Sequence, residues 1–329
     1  MSIGTIAGRW LGAVCAAAVL ACPAACVMAQ AFPSKPVRFH VPYPAGSAPD
    51  TMMRLLGDGL SKTWGQQVIV ENRPGASGII AMTEFKKSPA DGYSYVFGEV
   101  GILAINPSYY KTLPYDPEKD LVPVIDISWL PWVLFTAKDG PVKSFRSLID
   151  LAKASPGKYS YVSPGTGSPI YAVSEMLKLR AGIDLLGVPF RELGPMLNGL
   201  ASGDVTVFFT SPATVSSIIN RLTPLAVASS RRLPNLPNVP TIEEAGGPSN
   251  FDVQAWSMLV TARNTPPAIL AKVRADAAVV LKSPEVTGKL GVFGFQPTRE
   301  MSADDMAQFI RTENQRYAEV IRATGVRGD

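Results

Sequence analysis

The chain has 329 residues, of which 47% are hydrophobic and 18% are charged, and its formal net charge is +4 at pH 7. A chain of this composition folds into a globular protein, and its length exceeds what one hydrophobic core usually supports, so two lobes are expected. Lysine and arginine are dispersed without a dense basic run, which argues against nucleic acid as a partner.

Residues 1–31 are predicted to be an export signal peptide. Arg9 is their only charged residue, and an apolar, small-residue run follows from Trp10 to Ala25. This run is shorter than the ~20 residues that a membrane-spanning helix needs. Cleavage is expected near Ala29 or Ala31, and lipidation at Cys22 is the alternative.

Few residues of the chain could support catalysis or metal binding. All three cysteines lie within the predicted signal peptide, and His40 is the only histidine. Imidazole-rich zinc sites and Cys-His nucleophiles are therefore excluded, although carboxylate metal sites are not. Gly75–Gly78 and Gly165–Ser168 lack the G-x-S-x-G spacing of serine hydrolases, and no phosphate-binding glycine motif occurs. The sequence predicts neither an enzyme nor a cofactor or metal site.

From Lys35 onward, short apolar runs alternate with helical patterns, which is typical of an α/β fold with largely parallel sheets. In a first series, strands are predicted at 37–42, 68–70, 93–98, 121–127 and 131–137, and helices at 50–64 and 79–87, with Asp50 as the N-cap of the first helix. In a second series, helices are predicted at 144–153, 169–180, 194–201 and 212–220, and strands at 158–162, 185–190, 205–209 and 225–228. A strand at 253–260 and amphipathic helices at 267–282 and 303–323 complete the chain.

Two strand-to-helix turns are rich in small residues, one in each series. The first runs from Tyr43 to Asp50 and the second from Ser163 to Ser168. A helix N-terminus offers unpaired N–H groups and a partial positive charge, so it binds a carboxylate without an arginine. Such loops lie at the carboxyl ends of strands, where ligands bind in open α/β sheets. The alternative, that both are merely well-formed turns, stays open on this pattern alone.

A series of sequence blocks spread over the mature chain recurs, in this order, in one known family. They are Phe32–Val37, Val41–Tyr43, Val70–Gly78, Asp91–Tyr93, Ala104–Pro107, Leu113–Pro117, Tyr161–Ser168, Val188–Phe190 and Leu236–Thr241. With them the chain resembles the Bug-type (TctC family) solute-binding receptors of tripartite tricarboxylate transporters. The Glu-Asn-Arg-Pro-Gly motif within the third block is the most specific of these signals.

The resemblance implies an α/β, two-lobed periplasmic-binding-protein fold of type II, the Venus flytrap, with a mixed, mostly parallel sheet in each lobe. Lobe 1 is expected at 32–132 plus 253–329 and lobe 2 at 133–252, with two chain crossings as the hinge. The lobes would close over a small carboxylated metabolite and present it to an inner-membrane permease. The receptor is expected to be a periplasmic monomer that needs no cofactor.

The resemblance also implies roles for individual residues. Tyr43 would cover an apolar part of the ligand, Gly46 and its neighbouring amides would hold one carboxylate, and Asp50 would cap its helix. Amides and hydroxyls at Thr166 and Ser168 would hold a second polar end. The expected ligand-binding residues are Tyr43, Ala45, Gly46, Ser47, Asp50, Glu99, Ser163, Gly165, Thr166, Gly167, Ser168, Tyr171, Phe190 and Thr210.

Five positions depart from the family pattern. Ser47 replaces a second glycine, Tyr171 a frequent histidine, Glu99 a small hydroxyl or amide residue, and Thr206 and Thr210 two common aspartates. A carboxylate at Glu99 would repel an acidic ligand unless it is paired or protonated. Together the departures suggest an unusual ligand with a hydroxyl, amide or amino group, although a Glu99 that faces solvent or pairs with a lysine is equally compatible with the sequence.

Two other functions remain open. The same receptor could dock on a membrane histidine kinase as a sensor, which the sequence does not distinguish from transport. A hydrolase or lyase acting on the bound acid is the less favoured alternative, because the sequence lacks a recognisable nucleophile and base.

Overall fold

Within residues 32–190 and 192–328, the part of the chain that the computed structural model describes, ten strands form two separate sheets. The strands are β1 (Val37–Val41), β2 (Val68–Asn72), β3 (Ser94–Glu99), β4 (Leu121–Pro131), β5 (Val133–Ala137), β6 (Ser160–Ser163), β7 (Leu186–Pro189), β8 (Val207–Thr210), β9 (Leu222–Val227) and β10 (Gln254–Ala262). The predicted signal peptide, its cleavage sites at Ala29 and Ala31, and Cys22 lie outside the described residues.

Helices cover the sheets and connect their strands. They are α1 (Ala48–Trp64), α2 (Ile79–Phe85), α3 (Asn106–Tyr109), α4 (Pro117–Asp120), α5 (Phe145–Ala154), α6 (Pro169–Ala181), α7 (Leu193–Ser202), α8 (Pro267–Leu281), α9 (Pro284–Val292) and α10 (Ala303–Thr324). No helix in the described part of the chain is both long and apolar enough to cross a membrane.

The two sheets share one topology. The first has the order β2-β1-β3-β10-β4 and the second β7-β6-β8-β5-β9. In the first sheet β10 runs antiparallel to its neighbours β3 and β4, and in the second β5 runs antiparallel to β8 and β9. The other four strands of each sheet therefore point the same way. The predicted two-lobed α/β fold with a mixed, mostly parallel sheet in each lobe is confirmed.

We call the sheet formed by β1, β2, β3, β4 and β10, with its helices, the first lobe, and the other sheet with its helices the second lobe. The chain passes from one sheet to the other through Trp132 alone, between β4 and β5, and returns between β9 and β10. At this crossing Ala228 N donates to Trp132 O over 2.8 Å, and Val253 N donates to Ala228 O over 3.0 Å. The residue boundaries predicted for the lobes, 32–132 plus 253–329 and 133–252, stay a prediction.

Helix α1 shows how sequence pattern produces this packing. Its apolar residues recur at helical spacing, and Met52, Met53, Leu56 and Leu60 are fully buried against the sheet. The prediction that Asp50 caps this helix is wrong. The cap is Ser47, whose hydroxyl accepts from Asp50 N, because Ser-x-x-Asp places the serine before the helix and the aspartate in its first turn.

Other elements also differ from the sequence predictions. The segment predicted as a helix at 212–220 consists of turns followed by a 3₁₀ helix at Ser216–Arg221. A π-helical segment at Gly101–Ile105 and the helices α3, α4 and α9 were not predicted. Val215 is the only buried residue of 212–220, so no full helical face is packed there and the chain adopts the tighter, shorter helix.

Candidate functional site

A cavity of about 450 Å³ lies where the carboxyl ends of β1, β3 and β6 meet, so both lobes contribute to its wall. The first lobe lines it with Pro42, Tyr43, Gly75, Ser77, Gly78, Glu99, Gly101, Ile102, Tyr109 and Tyr110, and the second lobe with Pro164, Gly165, Thr166, Gly167, Ser168 and Pro169. We call it the interlobe cavity. Its volume is that of a small-molecule site.

The first predicted corner, Tyr43–Asp50, is fixed by the buried carboxylate of Asp50. Oδ2 of Asp50 accepts from Gly46 N over 2.8 Å and from Arg54 Nε over 3.0 Å, and Oδ1 accepts from Asn72 Nδ2 over 2.8 Å. Burial alone would raise the pKa of Asp50, but the hydrogen bonds from Arg54, Asn72 and Gly46 outweigh it and lower the pKa. The Gly46 amide is thus bonded to Asp50, and its predicted role with ligand stays a prediction.

The second corner, Ser163–Ser168, leads from β6 into α6. Ser168 caps α6: its hydroxyl accepts from Tyr171 N over 3.1 Å and donates to Gly165 O over 2.8 Å. Gly165 has φ +142°, which a residue with a side chain rarely adopts. Within the described chain, no acceptor takes the N–H groups of Thr166 and Gly167. These two amides precede the N-terminus of a 13-residue helix whose dipole favours an anion.

A polar contact between the two lobes lies beside the cavity. The phenolic oxygen of Tyr109 and the hydroxyl oxygen of Thr166 lie 2.7 Å apart. The Tyr109 ring also covers Gly167, where an added Cβ would lie 3.1 Å from Cε1 of the ring. Tyr109 therefore packs against the corner that presents the two amides.

A third corner, Gly75–Gly78, also lines the cavity and was not predicted as part of the site. Ala76 and Ser77 have φ of +46° and +50°, and the flanking Gly75 and Gly78 also have positive φ. Ser77 is held by Tyr110, whose hydroxyl donates to Ser77 Oγ over 3.1 Å. Left-handed backbone at residues with side chains is strained and concentrates at functional sites. The Glu-Asn-Arg-Pro-Gly motif that ends at Gly75 was the available signal.

Glu99 is the last residue of β3 and is half-buried in the wall of the cavity. Its Oε2 accepts from Gly101 N over 2.8 Å and its Oε1 from Ile102 N over 3.1 Å, so it caps the π-helical segment. Burial raises the pKa of Glu99, and these two hydrogen bonds reduce the rise without reversing it. No ion pair joins Glu99 to a lysine or arginine among the described residues.

The structure brings together six of the predicted ligand-binding residues: Tyr43, Glu99, Gly165, Thr166, Gly167 and Ser168 line the interlobe cavity. The other eight do not line it: Ala45, Gly46, Ser47, Asp50, Ser163, Tyr171, Phe190 and Thr210. Ser163 and Thr210 are buried at the ends of their strands, and Tyr171 lines a separate cavity with Thr324 of α10. Ligand contact by any of the fourteen stays a prediction.

Sequence reasoning missed Tyr109 and Tyr110. They follow the block Ala104–Pro107, but nothing in their spacing shows that α3 reaches the opposite lobe. Among the described residues, no group of three or more histidine, cysteine, aspartate or glutamate side chains is arranged to hold a metal ion.

Comparison with known proteins gives a consistent result. Residues 52–326 match the family model of the tripartite tricarboxylate transporter family receptor, TctC. The chain is 32% identical to BugT of Bordetella pertussis over 323 residues, which span 96% of this chain and 97% of that protein. Two solved structures are similar: Rpa4515 of R. palustris with adipate (33% identity, TM-score 0.76, 90% of this chain and 99% of that one) and MatC of Rhodopseudomonas palustris with bound malate (30%, 0.73, 88% and 100%).

Proposed function

Because the chain belongs to the tripartite tricarboxylate transporter family of receptors, we propose that it captures a small carboxylated metabolite in the interlobe cavity and delivers it to the membrane permease of such a transporter. The observation that carries this proposal is that Thr166 and Gly167, whose amides have no acceptor in the described chain, line a cavity shared by both lobes. A ligand bound there contacts both lobes at once.

The chemistry of the second corner suits a carboxylate. Two adjacent N–H groups and the N-terminus of α6 supply positive potential without a charged side chain, and Gly165 and Gly167 let the backbone come close to the ligand. The similar receptors Rpa4515 and MatC were solved with adipate and malate, which are both dicarboxylates. These relatives support a carboxylate as the ligand class for this chain.

Closure of the lobes would supply part of the binding energy. Contacts made only in the closed arrangement favour that arrangement when ligand is present. Tyr109 in the first lobe and Thr166 in the second share a polar contact beside the predicted carboxylate position. The Tyr43 ring packs edge-on against Phe97, with 5.9 Å between the ring centroids. It would cover the apolar part of the ligand.

We place this receptor in the periplasm as a monomer, exported by residues 1–31. Intact-mass spectrometry of the protein recovered from a periplasmic extract tests this placement. A mass that corresponds to a chain beginning at Gln30 or Phe32 is expected. A mass that includes the whole leader would contradict it, and a lipid adduct at Cys22 would replace cleavage near Ala29 or Ala31 with lipidation.

A thermal-shift screen over mono- and dicarboxylates, amino acids and aromatic acids tests the ligand class. A ligand that binds only the folded state raises the Tm with its concentration, by about 2.7 kcal/mol of added stability at a hundredfold excess over Kd. Gly167→Trp should abolish the shift because the new side chain would collide with the Tyr109 ring that covers Gly167 and so displace the corner that carries the two amides. The matched control is Gly194→Trp, at an exposed position of α7 with open space around it. A shift that survives Gly167→Trp would remove this corner from the site.

A further inference from the structure

Glu99 is the only residue with an acidic or basic side chain among the described residues that line the interlobe cavity. The rest of the wall consists of glycine, proline, serine, threonine, isoleucine and tyrosine. A receptor for a ligand with two carboxylates has no evident use for a carboxylate in its own wall. Glu99 therefore needs an explanation that the family membership does not supply.

No lysine or arginine side chain of the described residues pairs with the Glu99 carboxylate. Its only hydrogen-bond donors in the described chain are the backbone amides of Gly101 and Ile102, which occupy one lone pair on each oxygen. The titratable side chains that lie within its field are Tyr43, Tyr115 and Tyr317, all neutral at physiological pH. Each oxygen keeps further acceptor capacity.

The position of the carboxylate is also fixed. It lies directly over Gly101, where an added Cβ would come within 2.6 Å of Oε1. The two backbone bonds hold it as the cap of Gly101–Ile105, so it does not rotate freely into solvent. A fixed acceptor without a cation is complementary to a ligand group that donates hydrogen bonds and carries positive charge.

The part of the wall that comes from the second lobe has the reverse character. Thr166 and Gly167 have N–H groups without an acceptor just before α6, and these attract an anion. The second-lobe part of the wall thus favours negative charge, and Glu99 in the first-lobe part favours positive charge. A dicarboxylate would be attracted by the amides and repelled by Glu99.

We propose that Glu99 selects a zwitterionic ligand, an amino acid whose carboxylate lies on the Thr166 and Gly167 amides and whose ammonium group lies on the Glu99 carboxylate. This assignment rests on the proposed function, since it names the ligand class of the same cavity. It assigns Glu99 as the residue that distinguishes amino acids from dicarboxylates.

Isothermal titration calorimetry with matched pairs of probes tests the assignment near neutral pH. Succinate, glutarate and adipate are each compared with the acid in which an ammonium replaces one carboxylate: β-alanine, 4-aminobutanoate and 5-aminopentanoate. In at least one pair the amino acid should bind about tenfold more tightly or better, because an ion pair replaces a like-charge contact. Equal affinity, or tighter binding of the dicarboxylate in every pair, overturns the assignment but leaves carboxylate capture standing. No binding by any probe would contradict both.

The variant Glu99→Gln isolates the charge. The variant removes the negative charge but keeps an oxygen that accepts from one backbone amide. Because the ion pair with the ammonium group is lost, the preference for the amino acid should fall at least about tenfold. Asp116→Asn is the matched control, because Asp116 also caps a short helix of the first lobe, accepting from Glu118 N and Lys119 N, but lies outside the interlobe cavity. An unchanged preference in Glu99→Gln overturns the assignment.

If Glu99→Gln does not fold, the pH dependence of amino-acid affinity in the unaltered protein provides the test. Because burial raises the pKa of Glu99, this side chain takes up a proton on acidification before the probe carboxylates do, since their pKa values are not raised. The three neighbouring tyrosines do not titrate between neutral and acidic pH. Amino-acid affinity should therefore fall on acidification. Amino-acid affinity that is flat or rises overturns the assignment.

Discussion

The phenolic oxygen of Tyr109 in the first lobe lies 2.7 Å from the hydroxyl oxygen of Thr166 in the second. The same tyrosine ring covers Gly167, so one side chain contacts both the hydroxyl and the backbone of the corner that presents free amides. Any rotation that separates the lobes at this point breaks the bond and exposes those amides. The pair therefore couples the arrangement of the lobes to access to the cavity.

Tyr109→Phe should weaken ligand binding, because it removes a hydrogen bond between the lobes beside the cavity. The variant keeps the ring over Gly167 and loses one hydrogen bond, which is worth about 0.5–1.5 kcal/mol, or a few-fold in Kd. Calorimetry with a ligand from the thermal-shift screen measures the effect. Tyr110→Phe is the control, because its hydroxyl bonds Ser77 within the first lobe. Equal losses in the two variants would argue against a bond specific to closure.

Gly78→Ala should destabilise the protein more than Gly46→Ala does. Both glycines have positive φ, +85° and +81°, so each substitution has the same conformational cost of about 1 kcal/mol. At Gly78 an added Cβ would also lie 2.6 Å from Cδ1 of Ile102, whereas at Gly46 nothing lies within 4 Å. Overpacking adds about 1–3 kcal/mol at Gly78. Urea unfolding of the two variants checks the difference, and equal losses would refute the packing argument.

Asp50→Asn should lower the free energy of unfolding by about 1–3 kcal/mol near neutral pH, because the Asp50 carboxylate accepts hydrogen bonds from Gly46, Arg54 and Asn72. The pKa of Asp50 is lower in the folded protein than its ordinary value of 3.8, so the stability that its charge contributes is present above that value. That contribution is lost as pH falls through the folded-state pKa. The gap between wild type and variant should therefore shrink at acidic pH when unfolding is followed by urea titration. A gap independent of pH would show that the charge of Asp50 is not what holds the corner.

Loss of the proton from Asp126 should lower the free energy of unfolding as pH rises. Its Oδ2 accepts from Arg299 N and from Trp129 Nε1, but its Oδ1 is buried without a partner in the described chain. Burial raises the pKa of Asp126 to about 6 despite these hydrogen bonds. Between pH 3.8 and about 6 the folded state holds a proton that the unfolded state has lost, so folding stability falls by up to about 3 kcal/mol across this range.

Asp126→Asn removes this titration. Relative to wild type, the variant should gain stability as pH rises from about 4 to about 7, measured by urea unfolding at each pH. A constant difference between the two proteins would mean that Asp126 does not take up a proton on folding.

Much of the fold and part of the site follow from sequence. The alternation of strand and helix patterns and the ordered motif blocks predicted two mixed sheets and the receptor family, and both are confirmed. The local pattern Ser47-Ala48-Pro49-Asp50 contained the correct cap, but the prediction gave that role to Asp50. Instead, the buried Asp50 carboxylate accepts a hydrogen bond from Asn72 at the end of β2 and so stabilises the corner Tyr43–Asp50. Local sequence does not encode that contact.

The rest of the site depends on tertiary structure. Gly75–Gly78 lies in the connection between β2 and β3, whereas Glu99 ends β3 and Tyr109 lies in the connection that follows. The strand order of the first sheet brings these two regions to one wall. The sequence alone is compatible with a Glu99 side chain that faces solvent, pairs with a lysine or lies in the cavity wall. Its side chain lies in the cavity wall because it caps the segment that starts at Gly101, a segment that was not predicted.

The crossing at Trp132, Ala228 and Val253 restricts how this molecule can move. Segments joined by main-chain bonds resist sliding along one another but can bend together, so the crossing permits rotation of one sheet relative to the other more readily than translation. Under the proposed function, a permease that contacts both lobes would distinguish the receptor with ligand from the receptor without it by this rotation.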